Sequence, residues 1–257
     1  MLNKLSDIFV DDGGNGSLPV VFLHSLPGNT QHWSSQLRHV RKTRRAIALD
    51  LRGHGQSPPP ENGDYRIDAM AQDVQAVVDR LGFERFILVG HSMGGSVAGA
   101  YAGAYGERVA GLLLVDPSGD STRIPVEEVQ QYLGALESDA YSDVIGGYLS
   151  QILTGSTETT QAKVMRDLRD TPKATVIGVF KELFKYNPVP ALECYEGPIL
   201  SVITSITETP IGVHNLIPNL PRRKITGTGH WLHLDKPEEF NQILDEFLSS
   251  VDISSLC

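Results

Sequence analysis

Hydrophobic residues along this chain follow two alternating patterns. Short continuous apolar runs are typical of strands buried on both faces, and apolar residues that recur every three or four positions are typical of helices. We predict strands at residues 8–10, 19–23, 45–49, 86–89, 109–115, 199–203 and 223–226. We predict helices at residues 30–40, 67–81, 96–105, 213–216 and 237–251. Strands that alternate with helices predict an α/β fold, in which helices cover both faces of a mostly parallel sheet.

The pattern changes between residues 118 and 190, where no strand is indicated. Helical spacing recurs there at residues 126–136, 141–153, 159–168 and 174–184. We expect residues 118–190 to form a helical cap over the carboxyl-terminal edge of the sheet. The core would then comprise residues 1–117 and 191–257. Extra helices packed against the side of the sheet are the alternative.

One stretch combines a predicted strand, a tight turn and a predicted helix. Residues 86–89 are apolar, and residues 90–94 read Gly-His-Ser-Met-Gly. A serine on a sharp strand-to-helix turn projects its hydroxyl above the sheet, where it can act as a nucleophile. Gly90 and Gly94 suit such a turn because a Cβ atom there would crowd it. We interpret Ser92 as a nucleophile; the alternative is an ordinary strand-to-helix turn.

Polar and glycine-rich segments follow the other predicted strands. Residues 24–28 read His-Ser-Leu-Pro-Gly, residues 50–57 read Asp-Leu-Arg-Gly-His-Gly-Gln-Ser, and residues 227–231 read Gly-Thr-Gly-His-Trp. Asp116 ends the strand at residues 109–115. The carboxyl ends of parallel strands meet at one edge of a sheet, so these segments are expected to lie together.

These motifs, in this order, resemble those of α/β-hydrolase-fold enzymes with a helical cap, and the resemblance covers nearly the whole chain. Residues 24–28 match the family's H-G-x-x-G-type loop, and residues 50–57 match D-x-R-G-x-G-x-S. Residues 90–94 match G-x-S-x-G, and residues 227–230, followed by Pro237, match the histidine loop. The resemblance implies an α/β-hydrolase fold and an esterase-like serine hydrolase.

The resemblance also implies a role for individual residues. Ser92 would attack a carbonyl, and His230 would take its proton and later donate it to the leaving group. The backbone N–H groups of Leu26 and Met93 would hold the oxyanion. Ser25 stands where the family usually has glycine. Its hydroxyl could donate to the substrate or form a local hydrogen bond, and we favour the local hydrogen bond.

The acid of the triad departs from the family pattern. Relatives usually carry aspartate a few residues after the strand at residues 199–203, and Thr207 takes that place here. Asp116 and Glu208 are the two carboxylates that could substitute, and an incomplete triad is a third possibility. We favour Asp116 because a strand end is a rigid mount for an orienting group.

Composition and charge restrict the kinds of molecule that this protein is expected to bind. The formal net charge of −9 argues against nucleic acid or an anionic membrane surface as the main partner. The only cysteines, Cys194 and Cys257, indicate no disulfide framework. No metal site or dinucleotide loop is indicated, so we expect no cofactor. Residues 1–10 lack a signal-peptide pattern and no apolar run is long enough to span a membrane, so we expect a cytoplasmic protein of unspecified oligomeric state.

The leading functional hypothesis is therefore hydrolysis of a small or medium carboxylic ester. A serine nucleophile argues against haloalkane dehalogenases and epoxide hydrolases, since those relatives use aspartate. A perhydrolase, a lactonase, a thioester hydrolase or a C–C bond hydrolase would use the same triad. From another class, a ligand-binding receptor of low turnover fits the threonine at position 207.

Overall fold

The core of the protein is a seven-stranded sheet. The computed structural model describes residues 7–16 and 18–254. The sheet has the order β1-β3-β2-β4-β5-β6-β7. Its strands are β1 (Val10–Gly13), β2 (Val20–Leu23), β3 (Ala46–Leu49), β4 (Phe86–His91), β5 (Val109–Val115), β6 (Ile199–Ile203) and β7 (Arg222–Lys224).

All strand pairings are parallel except one. β1 runs antiparallel to β3, with Val10 opposite Leu49, and the remaining neighbours pair in parallel. Every residue of β2, β3, β4 and β5 is buried, as the continuous apolar runs predicted. The predicted mostly parallel sheet is therefore confirmed.

Helices cover both faces of the sheet. The main helices are α1 (Ser34–Val40), α2 (Ile67–Arg80), α3 (Met93–Ala104), α4 (Val126–Glu137), α5 (Tyr141–Ile152), α6 (Glu158–Asp170), α7 (Lys173–Leu183) and α11 (Pro237–Ser254). Three short helices are α8 (Val189–Glu193), α9 (Val213–Leu216) and α10 (Leu232–Asp235). Apolar residues of α1 and α11 form one buried cluster with the sheet, and those of α2 and α3 belong to a second.

The chain between β5 and β6 is entirely helical or irregular within the described residues. Helices α4 to α7 contribute buried residues such as Leu136, Leu149, Val164 and Val176 to the cluster that also holds α2 and α3. These helices therefore share one buried core with α2 and α3.

Several element boundaries differ from those the sequence predicted. β1 occupies residues 10–13 instead of 8–10, because Asp11 and Asp12 pair with Arg41 and Arg45 at the sheet edge. Helix α3 starts at Met93 instead of residue 96, since the serine itself forms the turn. The helix predicted at residues 30–40 begins as a 3₁₀ turn at Thr30–Trp33.

Two kinds of feature are absent from the described residues. Within residues 7–16 and 18–254, no helix combines the length and hydropathy that crossing a membrane requires. The same residues hold no group of three or more histidine, cysteine or acidic side chains arranged to bind a metal ion. Cys194 is an exposed free thiol. Cys257 lies outside the described part of the chain, as do residues 1–6 of the segment where we expected no signal peptide.

Candidate active site

Ser92 occupies the sharp turn between β4 and α3. Its φ of 52° and ψ of −114° lie outside the regions that non-glycine residues usually adopt. Such a conformation costs about 1–3 kcal/mol and persists only where the surroundings enforce it. Here the close backbone approach enforces it, because a Cβ on Gly90 would collide with the carbonyl of Gly94, and one on Gly94 would collide with the carbonyl of Leu23.

His230 is bound through its ring to Asp116, which follows β5. Nδ1 of His230 lies 2.6 Å from Oδ2 of Asp116, and both side chains are buried. A carboxylate can only accept, so Nδ1 carries the proton and Nε2 has a free lone pair. This is the tautomer that a general base needs.

Two threonines after β6 complete the shell of Asp116. The backbone N–H of Thr204 donates to Oδ1 at 2.7 Å, and its hydroxyl donates to Oδ2 at 2.8 Å. The hydroxyl of Thr207 donates to Oδ1 at 2.5 Å. Together these three donors fix the orientation of the carboxylate. The sequence had marked Thr207 only as a missing acid, and no local signal identified Thr204.

Glu208, the other predicted candidate for the acid, lies away from the histidine. Its carboxylate forms an ion pair with Lys224. The hydrogen bond from Lys224 holds the pKa of this exposed carboxyl below its usual value. Glu208 has no contact with His230 among the hydrogen bonds of the described residues.

Hydrogen bonds hold the backbone of His230 at both its N–H and its carbonyl. Its N–H donates to the carbonyl of Ile152, the last residue of α5, at 2.9 Å. Its carbonyl accepts from Nε2 of His91 at 2.9 Å. Burial holds the pKa of His91 well below its usual value, so the ring that donates is neutral. His91 therefore acts on the histidine loop and not on the nucleophile.

His233 is the other histidine near the site in sequence. Its ring stacks on Trp33, with the ring centroids 4.2 Å apart, and is fully buried. Burial holds its pKa well below the usual value. His233 does not line the cavity described below, which leaves His230 as the histidine that lines it together with Ser92.

The predicted oxyanion donors lie at the expected turns. Leu26 follows β2 and Met93 opens α3, and both are buried. In the described part of the chain, no hydrogen bond occupies either backbone N–H. Neither residue belongs to the lining of the cavity. Both N–H groups are thus without a hydrogen-bond partner among the described residues.

The expected local hydrogen bond of the Ser25 hydroxyl is wrong. The buried Oγ has no hydrogen-bond partner within residues 7–16 and 18–254. The carbonyl of Ser25, and not its hydroxyl, makes the local contact, 2.8 Å from Nδ1 of His24. The loop turns the carbonyl of Ser25 toward the ring of His24. The other ring nitrogen of His24, Nε2, accepts from the N–H of Leu51 at 2.9 Å.

Ser92 and His230 line one cavity of 280 Å³ between the sheet edge and helices α4, α5 and α7. The core side of its lining is rich in hydroxyls and backbone: Pro117, Ser118, Gly119, Ser121, Thr207, Thr209 and Gly212. The helical side is apolar: Ile124, Tyr132, Tyr148, Ile152, Phe180, Leu183 and Phe184. Ile206 and Ile211 complete it. None of these residues is Asp, Glu, Lys or Arg, so the cavity suits an uncharged molecule.

Comparisons with known proteins identify the family of this chain. Residues 19–237 match the family described as alpha/beta hydrolase fold. The sn-1-specific diacylglycerol lipase ABHD11 of Mus musculus is 28% identical over 92% of this chain and 83% of its own length. The solved structure of Est816, described as an N-acyl homoserine lactone degrading enzyme, is 28% identical, with a TM-score of 0.82 over 93% of this chain and 96% of that chain.

A further solved structure supports the fold alone. The thermophilic esterase from Thermogutta terrifontis is 24% identical, with a TM-score of 0.79 over 95% of this chain and 93% of that chain. The strand order, the serine turn and the family match agree with one another. The chain belongs to the α/β-hydrolase fold family and is a hydrolase of that superfamily.

Proposed function

We propose that this hydrolase cleaves a small or medium carboxylic ester through an acyl-enzyme on Ser92. The observation that carries the proposal is the position of His230. Its Nδ1 is bound to Asp116, and the residue shares one cavity with Ser92. A nucleophile, a base and a group that orients the base are the parts that acyl transfer by serine requires.

Each residue has a defined part in the two half-reactions. Nε2 of His230 takes the Ser92 proton as the hydroxyl attacks the ester carbonyl, and then gives it to the departing alcohol. Water then attacks the acyl-enzyme by the same route and releases the acid. Asp116 keeps Nδ1 protonated and stabilises the imidazolium that forms.

The oxyanion is assigned to two backbone groups. The N–H of Leu26 and the N–H of Met93 lack partners among the described residues, and Met93 directly follows Ser92. Losing one such donor typically costs about 3–4 kcal/mol of transition-state stabilisation. Residues of this chain therefore account for both the proton transfers and the negative charge that develops on the carbonyl oxygen.

The substrate is assigned from the cavity. An uncharged lining with hydroxyls on one side and aromatic side chains on the other suits a neutral ester with an apolar acyl group. Residues 118–190 would act as the cap that shapes this acyl side. A lactone is an internal ester and would react by the same steps; Est816, with its lactone-degrading description, supports that variant.

The receptor hypothesis rested on the lack of an acid at position 207. Asp116 offers a carboxylate to the histidine from a different strand, and Thr207 donates to it. This arrangement removes the motivation for a low-turnover protein. We therefore favour an enzyme.

Hydrolysis of p-nitrophenyl butyrate by the wild type and by Ser92→Ala tests the proposal. We expect turnover by the wild type and loss of it in the variant, with unchanged thermal unfolding. Glu208→Gln is a matched control on an exposed residue outside the site. No turnover of p-nitrophenyl esters or lactones by the wild type, or full activity of Ser92→Ala, would contradict the proposed function.

A further inference from the structure

A second cavity lies beside the proposed catalytic cavity. It has a volume of 330 Å³ and lies between helix α4, the segment before it, and the end of α7. Ile124 and Phe184 line both cavities. Ligand sites usually measure about 300–1,000 Å³, so either cavity alone is at the low end of that range. Ile124 and Phe184 therefore form an apolar wall with one cavity on each side.

The second cavity is apolar along most of its lining and reaches the surface. Val129 and Leu133 are one helical turn apart on α4 and both line it. Val126, also in the lining, is 63% exposed. It is one of two large hydrophobic side chains with such exposure among the described residues, the other being Ile253 at the far end of α11. An apolar path thus runs from the surface at Val126 to the wall at Phe184.

The charges at this cavity are already neutralised. Lys181 pairs with Glu137, and Lys185 pairs with Glu182 at 2.7 Å. Neither lysine is therefore left to select an anionic group. Since the remaining lining is apolar or uncharged, the chemistry favours a neutral aliphatic chain.

We propose that the second cavity binds the far end of a long aliphatic chain whose ester group lies at Ser92, which makes lipid-like neutral esters the substrate class. The inference rests on the proposed function and names its substrate. The chain would pass Ile124 and Phe184 and leave the protein near Val126. Each methylene moved from water into apolar surroundings changes an equilibrium by about fourfold, so a filled second cavity favours long esters strongly.

The test compares p-nitrophenyl decanoate with p-nitrophenyl butyrate, both below their micellar concentrations. Val129→Trp adds bulk inside the second cavity, and we expect the decanoate-to-butyrate ratio of kcat/KM to fall by roughly fifteenfold, the worth of two methylenes at about fourfold each. Gln131→Trp is the control, because it places the same bulk on an exposed position of α4 outside both linings. We expect the wild-type ratio there.

Two further results separate this inference from the proposed function. An unchanged ratio in Val129→Trp, with normal butyrate cleavage, overturns the second site and leaves the esterase proposal standing. Absence of butyrate cleavage in the wild type overturns the esterase proposal instead. Phe184→Ala guards against misfolding of the tryptophan variant: removing the wall should raise the ratio, and a fall in the ratio would contradict the proposed path.

Discussion

The hydroxyl of Thr207 donates to Oδ1 of Asp116, while Oδ2 of the same carboxylate binds the ring of His230. Threonine thus occupies the position where we expected relatives to carry the acid, and it supports a carboxylate that comes from β5. Positions 116 and 207 are close enough that Asp116 supplies the charge and Thr207 supplies a hydrogen-bond donor to it.

The first prediction separates the two candidate acids. Asp116→Asn leaves a neutral amide beside Nδ1, which favours the wrong tautomer and removes the charge that stabilises the imidazolium. A comparable change in serine proteases costs about 10⁴ in kcat, and we expect a loss of that order in ester hydrolysis. Glu208→Gln removes only an exposed ion pair with Lys224 and should keep near wild-type kcat. The opposite ranking would reassign the acid.

A second prediction moves the carboxylate to position 207. Thr207→Asp in the wild type places two carboxylates side by side, and their repulsion should lower activity. In Asp116→Asn, the same substitution restores a negative charge close to the histidine. We expect recovery on the order of tenfold relative to Asp116→Asn alone, measured as the coupling in a double-mutant cycle. Purely additive losses would show that position 207 cannot reach the ring.

A third prediction concerns Asp235, which joins the helical segment to the histidine loop. Its Oδ1 accepts from the N–H of Thr157 at 3.0 Å, and its Oδ2 accepts from the Thr228 hydroxyl at 2.6 Å and the Gly229 N–H at 3.2 Å. Hydrogen bonds to a charged group contribute about 1.5–3 kcal/mol each. Asp235→Asn should therefore lower both the melting temperature and kcat.

The exposed Glu239 provides the control for that variant. Among the described residues it pairs only with Lys236, three positions earlier, at 3.4 Å. Glu239→Gln should leave kcat and the melting temperature close to their wild-type values, since exposed pairs contribute about 0–1 kcal/mol. Equal effects of the two substitutions would show that Asp235 has no special part in placing the loop.

A fourth prediction follows from the buried histidines. Burial lowers the pKa of His54 from 6.5 to about 4 and holds that of His24 well below its usual value. The unfolded chain therefore binds protons at a higher pH than the folded one. The contribution of these histidines to the free energy of unfolding should be fully present above pH 6.5. It should decline as the pH falls from 6.5 toward 4.

Urea unfolding at several pH values measures this decline. His54 alone would account for about 3 kcal/mol across the whole window. We expect His54→Asn to lower stability at pH 7.5 but to flatten its dependence on pH between 6.5 and 5. A pH dependence as steep as that of the wild type would show that His54 does not titrate in this way.

The sequence predicted the parts of the fold that depend on local pattern. Continuous apolar runs located the buried strands of the sheet, and the glycine-flanked serine located its central turn. The sequence did not reveal how Asp116 meets Thr204 and Thr207, because that contact joins the ends of β5 and β6 across most of the helical insertion. The carbonyl of Ile152 gave no signal either, since every helix ends in unpaired carbonyls. The predicted position of β1 was wrong because Asp11 and Asp12 are typical turn residues. Their pairing with Arg41 and Arg45 is not evident from the sequence.

The central claim is that Ser92 is a nucleophile activated by His230. Mass spectrometry after treatment with a fluorophosphonate tests it most directly, because the reagent reacts far faster with an activated serine than with an ordinary hydroxyl. We predict a single adduct on the peptide that contains Ser92, with no labelling of Ser92→Ala and strongly slowed labelling of His230→Gln. Failure of the wild type to label, or an adduct on another residue, would contradict the account.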